Sequence, residues 1–386
     1  MTNTSDQKGL PYYAKFSLNL LSVFMVATLL YIGSGILLPL FFSIILAILL
    51  LPVSNWLTRR RIPEVLSMLL SILLAFIFIG TIVYFLSSQI ASFSDDWPSI
   101  KKHLQDHLHT VRQWLSDQFN ISTKQQNEAL EKASTSMKSS GGGVVGTTLG
   151  SILGSLVNVV LLPIYTFLFM YYRRLIYKFF MDSFGEKNKG TVQEVIQESK
   201  VIIQGYMVGL LIEMAVVTAL NATGFFIIGI QYAFFLALLA AILNMIPYVG
   251  MLVASVICML ITLTTSTDLS DILWVGIILV FVQFLDNNLL MPYIVSSKVR
   301  INAMANIVGV LVGGALAGIG GMFLSIPGVA VMKVVFERVE GLKPWGLLLG
   351  DDLSMVNPKK RQRIKSRVQD KADQSETPAQ PTKKKS

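Results

Sequence analysis

Apolar runs long enough to cross a bilayer recur along this 386-residue chain. A spanning helix needs about 20 mostly apolar residues. In hydrocarbon only helices and closed barrels satisfy every backbone polar group. These runs are of helical rather than strand length. The chain is 53% apolar and 14% charged, whereas a soluble domain carries about a quarter charged residues. The expected fold is therefore an all-α polytopic membrane protein with about eight membrane segments. A single cysteine, Cys258, excludes an intrachain disulfide and a cysteine metal cluster. No cofactor is expected.

The first two thirds read in order. A cytoplasmic segment, 1–13, precedes helix 1 at 14–32. A tight turn at Gly33 and Gly35 leads to helix 2 at 36–57, with Pro39 in its first turn. "TRRRIPE" (58–64) marks a cytoplasmic loop by its three arginines. Pro63 and Glu64 then start helix 3, which runs to about residue 89 with its acid at the positive end of the helix dipole. Residues 92–143 are the one sizeable polar insertion. There Ile100, Leu104, Leu108, Val111, Leu115 and Phe119 share one helix face, as in an extracytoplasmic amphipathic helix. His103 and His107 stand at zinc-binding spacing, but lysines adjoin and no fourth ligand is evident, so no metal is expected. Helix 4 covers 144–172 and ends in the aromatic and basic "YYRRLIYKFF". A short polar helix at 185–200 precedes helix 5 at 202–229.

Charge sets the orientation. Residues 351–386 hold ten Lys/Arg and five Asp/Glu, so this stretch contributes +5 of the net +9. Beside membrane helices such a tail marks the cytoplasmic face and leans on anionic lipid; nucleic acid is not an expected partner. The transmembrane domain is then 14–340, with a basic, largely disordered cytoplasmic tail at 341–386 and both termini cytoplasmic.

The last third is less regular. Residues 231–263 are broken by Pro247 and Gly250. As one helix they would be about 50 Å long, too long for a bilayer core, while each half is short for a span. Two readings compete. In one the segment crosses once, kinked, leaving Lys298 and Arg300 outside. In the other it is a hairpin, helix 7 (271–292) runs inward, and 302–338 form a second hairpin turning at "GIGG" (318–321). Positive-inside counting prefers the second. "MIPYVGM" (245–251) and "SIPGVAV" (325–331) share Ile-Pro-x-Val, and each follows an apolar helix carrying one acid, Glu213 or Asp286. A helix plus hairpin repeated in opposite orientation is the inverted repeat of secondary transporters.

Polar groups inside these helices need partners or water. Gln283, Asp286 and Asn287 stand at i, i+3 and i+4 on one face. On helix 5, Tyr206, Gly209, Glu213, Leu220 and Asn221 form a similar face. Pro247 frees a carbonyl near Leu243 and Asn244. These groups point to a hydrated substrate pocket, and Glu213 is a candidate proton carrier. The bland reading gives Asp286 a structural partner, Lys298 or Arg300. There is no G-x-x-x-x-G-K-[ST] and no H-E-x-x-H, and all three histidines lie in the outer insertion, so neither an ATP-driven pump nor an intramembrane enzyme is expected.

"LPLFFSIILAILLLPVSNWLTRRRIPE", "GIQYAFFLALLAAILNMIPYVG" and "LDNNLLMPYIVSSKVRINAMANIVGVLVGGALAGIGGMFLSIPGVAV" resemble the autoinducer-2 exporter family over nearly all of 12–340. The resemblance implies a bacterial inner-membrane permease with two hairpins, assembled as a ring-like homo-oligomer. It carries Pro247, Tyr248 and Gly250 to the first hairpin turn. At the second it implies Gly318, Gly320, Gly321, Pro327 and Gly328, with Asp286 and Pro292 on the helix between. Ser296 and Ser297 stand where a family glycine is common, which loosens the match there. The expected substrate-binding set is Glu213, Asn244, Pro247, Tyr248, Gln283, Asp286, Asn287, Pro327 and Gly328. The expected function is export of a small polar solute such as autoinducer-2 by movement of the hairpins. The alternatives are a sodium(lithium)/proton antiporter and a non-transporting scaffold.

Overall fold

A computed structural model describes residues 11–96, 102, 160–295 and 301–351. Most of the outer insertion, the first part of expected helix 4, Lys298 and Arg300, and most of the basic tail lie outside the described residues. Within them the chain is all-helical. Helix α1 spans Tyr12–Ile32, α2 Ser34–Arg59 and α3 Glu64–Asp95. They are followed by α4 at Val160–Tyr171, α5 at Arg173–Ser183 and α6 at Lys189–Ile228. Next come α7 at Ala233–Asn244, α8 at Val249–Thr265 and α9 at Leu269–Leu285. Helix α10 covers Ala303–Arg338 and a short α11 covers Lys343–Leu349. Five helices among the described residues are long and apolar enough to cross a membrane: Ser34–Arg59, Glu64–Phe93, Glu186–Ile228, Leu269–Ile294 and Ala303–Arg338. The protein is a polytopic membrane protein.

Several boundaries differ from the sequence reading. Gly33 keeps near-helical dihedrals (φ −80°, ψ 0°), so α1 and α2 meet at a one-residue joint rather than the expected tight turn. Helix α2 starts at Ser34, which leaves Pro39 inside the helix, past its first turn. The polar helix expected at 185–200 and helix 5 are one continuous 40-residue helix, α6. At 1.5 Å per residue it is about 60 Å long. Polarity changes along it, but no proline interrupts it, and polarity alone does not break a helix. At the carboxyl end, α11 folds back, so the tail expected from residue 341 begins with ordered structure. Asn302 fastens it: its Oδ1 accepts from Ala305 N at 2.7 Å and its backbone N–H donates to Leu349 O at 3.0 Å.

Two helical pairs turn back on themselves. Helices α7 and α8 are antiparallel arms joined by residues 245–248. A Cβ on Gly250 would sit 1.7 Å from the Leu243 carbonyl oxygen, so the arms close only because residue 250 has no side chain. Farther down, the Cys258 thiol meets Leu236 O at 3.7 Å. Helix α10 is likewise two arms. Ala317 and Gly318 leave helical dihedrals, with Gly318 at φ +59°, ψ −147°, a conformation that glycine alone adopts readily. Across the bend Gly313 and Gly321 face each other so closely that a Cβ on Gly321 would lie 2.0 Å from Gly313 O.

The helices pack as two regions. In one, Ala47 and Leu50 of α2, Met68 and Ile72 of α3 and Met170 of α4 form a core. In the other, α6 is the central strut. Tyr206, Met207 and Leu210 pack on Val310, Ile326 and Ala330 of α10. Val217 meets Ala241 of α7 and Val282 of α9.

Candidate functional site

Helix α9 does not simply end at Leu285. It loosens into π-helical winding over Asp286–Val295. Pro292 lies within it, lacking an N–H and crowding the preceding turn, and the wider winding accommodates both defects. Asp286 therefore sits at a change of helical pitch. It is 2% exposed, and Glu213, at mid-α6, is 5% exposed. Their carboxyl groups are close neighbours. Asn244, the last residue of α7, donates its Nδ2–H to Asp286 Oδ2 at 3.0 Å. Three secondary elements thus converge on one point.

The remaining oxygens are not satisfied. Glu213 Oε2, Asp286 Oδ1 and Asn221 Oδ1 are buried and meet no donor. A void of about 20 Å³ is lined by Asn221, Asn244, Ser255 and Gln283 with Val217 and Leu279; neither acid lines it, and Asn244 links it to Asp286. The void has room for about one water. Among the described residues neither acid is in an ion pair with lysine or arginine. Two adjacent carboxylates in a low-dielectric interior repel strongly unless something balances them. A proton held between them does so, and so does a small cation, which prefers oxygen ligands. No cluster of three or more His, Cys, Asp or Glu side chains that could hold a metal occurs among the described residues.

The other expected site residues scatter. Gln283 reaches the void, but its Nε2–H donates to Asn287 Oδ1 at 3.1 Å, and Asn287 itself is exposed. Pro247 lies in the first hairpin turn, half-buried. Tyr248, at φ +65°, is exposed, and its hydroxyl accepts from Asn306 Nδ2 at 3.2 Å, tying the first hairpin's turn to the start of α10. Pro327 is fully buried in the second arm of α10, and Gly328 beside it is exposed. The shared Ile-Pro motif therefore falls at a turn in one hairpin and within an arm of the other. The glycines expected at the turns do differing work. Gly318 bends, Gly250 and Gly321 allow close approach, and Gly320 faces Leu38 and Phe42 of α2.

Asn221 is expected on the Glu213 face but not in the binding set, and Ser255 is not expected at all. Asn221 is legible: it lies two turns after Glu213 on the same face. Ser255 carries no sequence signal, because only the folding back of α8 brings it to the void.

Long apolar helices around a buried polar centre are the build of a membrane transporter. The chain belongs to the AI-2E transporter family: the family model described as "AI-2E family transporter" matches residues 20–341. It is a transporter and not an enzyme. It is 26% identical over 315 residues to the Bacillus subtilis protein named "Putative transport protein YrrI", covering 78% of this chain and 85% of that one. It is 24% identical over 348 residues to "Putative transport protein YhhT" of Escherichia coli K12, covering 86% and 93%. "Putative permease PerM" of the same strain is 27% identical over 210 residues, covering 54% and 59%.

Proposed function

We propose that the chain is a secondary transporter in which Glu213 and Asp286 together bind either a proton or a small cation such as sodium, and exchange one for the other across the membrane. One observation carries this reading: two buried carboxyl groups are close neighbours with no basic partner among the described residues. Such a pair is stable only when it holds a positive charge, and it can trade one for another. The water-sized void at Asn244, the residue bonded to Asp286, suits an ion more than an organic solute.

A second reading has its own support. Asn221, Asn244, Gln283 and Ser255 give the void a lining of amides and a hydroxyl, the groups that bind a small polar solute such as autoinducer-2. That cargo requires the hairpins to open. The arrangement of α6 with its hairpin and α9 with its hairpin, each contributing one acid, is consistent with an inverted repeat alternating about the pair. On this reading the protein lies in the bacterial inner membrane with about eight segments, both termini inside and residues 92–143 outside. It works as a homo-oligomer.

Flux into proteoliposomes separates the readings. A pH-sensitive dye inside the vesicles reports proton movement on adding sodium or lithium, and labelled autoinducer-2 reports solute. Cation-triggered proton movement that vanishes in Glu213→Gln is the expected result. Autoinducer-2 flux without proton movement overturns exchange and supports the solute reading.

A further inference from the structure

A larger cavity lies away from the acid pair, where the end of α2 crosses the first half of α6. It has a volume of about 400 Å³. Asn55 and Trp56 with Arg59 line it from α2, and Lys200 with Gln204 from α6. Asn55 and Arg59 stand at i, i+4, as do Lys200 and Gln204, so each helix turns one cation and one amide to the same space. The acids nearest in sequence to Lys200 are committed elsewhere: Arg338 pairs with Glu198 and lies 3.6 Å from Glu194. Glu64, just beyond the arginine loop, is held by Arg173 at 2.8 Å. Among the described residues Arg59 and Lys200 are in no ion pair. Arg60 stacks over the Trp56 ring, 4.8 Å from its centroid, and so fixes the indole at the cavity mouth.

We infer that this cavity binds the phosphate group of an anionic ligand, and that the ligand is an acidic phospholipid of the cytoplasmic leaflet. A guanidinium, an ammonium and two amides supply the donors that phosphate oxygens take. Leu51 and Pro52 continue the wall with apolar surface suited to a glycerol backbone and the start of an acyl chain. The arginine run 59–61 beside it is the side of a membrane protein that faces anionic lipid. Basic pockets between helices at that level recognise such headgroups. The site is separate from the acid pair, so its test does not depend on what is transported.

The full-length protein is reconstituted in nanodiscs of phosphatidylethanolamine with phosphatidylglycerol, and retained lipid is read by native mass spectrometry. Wild type is expected to retain phosphatidylglycerol. R59Q/K200Q should weaken retention roughly 30-fold, for two cations at about fivefold each. R59K/K200R, which keeps both charges, should retain it and so reports on folding. A parallel titration with glycerol 3-phosphate in detergent distinguishes the source. Binding there, with the same dependence on both cations and no retained lipid, supports a phosphate site but assigns it to a soluble ester and overturns the lipid. Equal phosphatidylglycerol retention by wild type and R59Q/K200Q, or no binding in either arm, overturns the site.

Discussion

Ser43, Ser67, Ser71 and Thr166, in the α2–α3–α4 region, are as buried as the polar groups around Glu213. Each finds a carbonyl close by. Ser43 donates to Pro39 O at 2.7 Å and also lies 3.1 Å from Leu162 O of α4. Ser71 donates to Ser67 O at 2.7 Å, and Thr166 to Leu162 O at 2.7 Å. Around α6 and α9 the opposite holds. Glu213, Asn221 and Asp286 keep oxygens without donors. Small hydroxyls that satisfy themselves let helices approach closely and stay. Acids and amides left open are costly unless a ligand visits them. The comparison separates a self-satisfied scaffold from the proposed centre at similar burial. The helix breaks follow the same division. Prolines lie in both regions, Pro39 and Pro52 in α2 and Pro163 in α4, yet those helices run on, whereas α7 and α8 part at a turn, α9 loosens at Asp286 and α10 bends at Gly318.

The strongest way to break this contrast is to neutralise the acids. Glu213→Gln and Asp286→Asn, separately, should abolish ion-driven flux in proteoliposomes to the level of empty vesicles. Thermal unfolding in detergent should be unchanged or slightly improved, because an amide relieves the carboxyl repulsion. A clear loss of stability in both would place the pair with the scaffold instead. Gly250→Ala should come next. Its Cβ would meet the Leu243 carbonyl at 1.7 Å, so the hairpin must open, at a cost of about 3 kcal/mol read by unfolding. Asn244→Ala removes the amide that donates to Asp286 Oδ2 at 3.0 Å. It should lower flux by about tenfold, in line with loss of a hydrogen bond to a charged group worth about 1.5 kcal/mol. The smallest effect is expected in the scaffold. Ser43→Ala should cost about 0.6 kcal/mol, typical of a hydrogen bond between membrane helices, with flux unaltered. A flux defect there would erase the distinction.

The sequence carried much of this architecture and part of the site. Proline and glycine signals placed the break near 245–250 and the bend near 318, because those residues act on the backbone wherever they stand. Glu213 and Asp286 were legible as acids in apolar runs, where any charge is conspicuous. Less was legible where the deciding cause is non-local. The joint at Gly33 and the unbroken α6 depend on neighbours, and the change in polarity along α6 is not a change in structure. Asn287 was grouped with Asp286 by ideal helical spacing, yet the winding loosens at Asp286 and leaves Asn287 exposed beside Gln283. The cation-lined cavity between α2 and α6 joins residues about 140 positions apart, a pairing that no local pattern announces.

Composition and apolar run length by themselves determined a polytopic all-helical membrane protein, because hydrocarbon leaves the backbone almost no other way to pair its polar groups. The family followed from residues spread over most of the chain. Only the tertiary structure decided that the two acids are neighbours, that Asn244 serves one of them, and that Asn221 and Ser255 line a void together with Asn244. Those relations depend on helices that fold back through glycine contacts and on a pitch change at Asp286, and each is set by packing between segments distant along the chain.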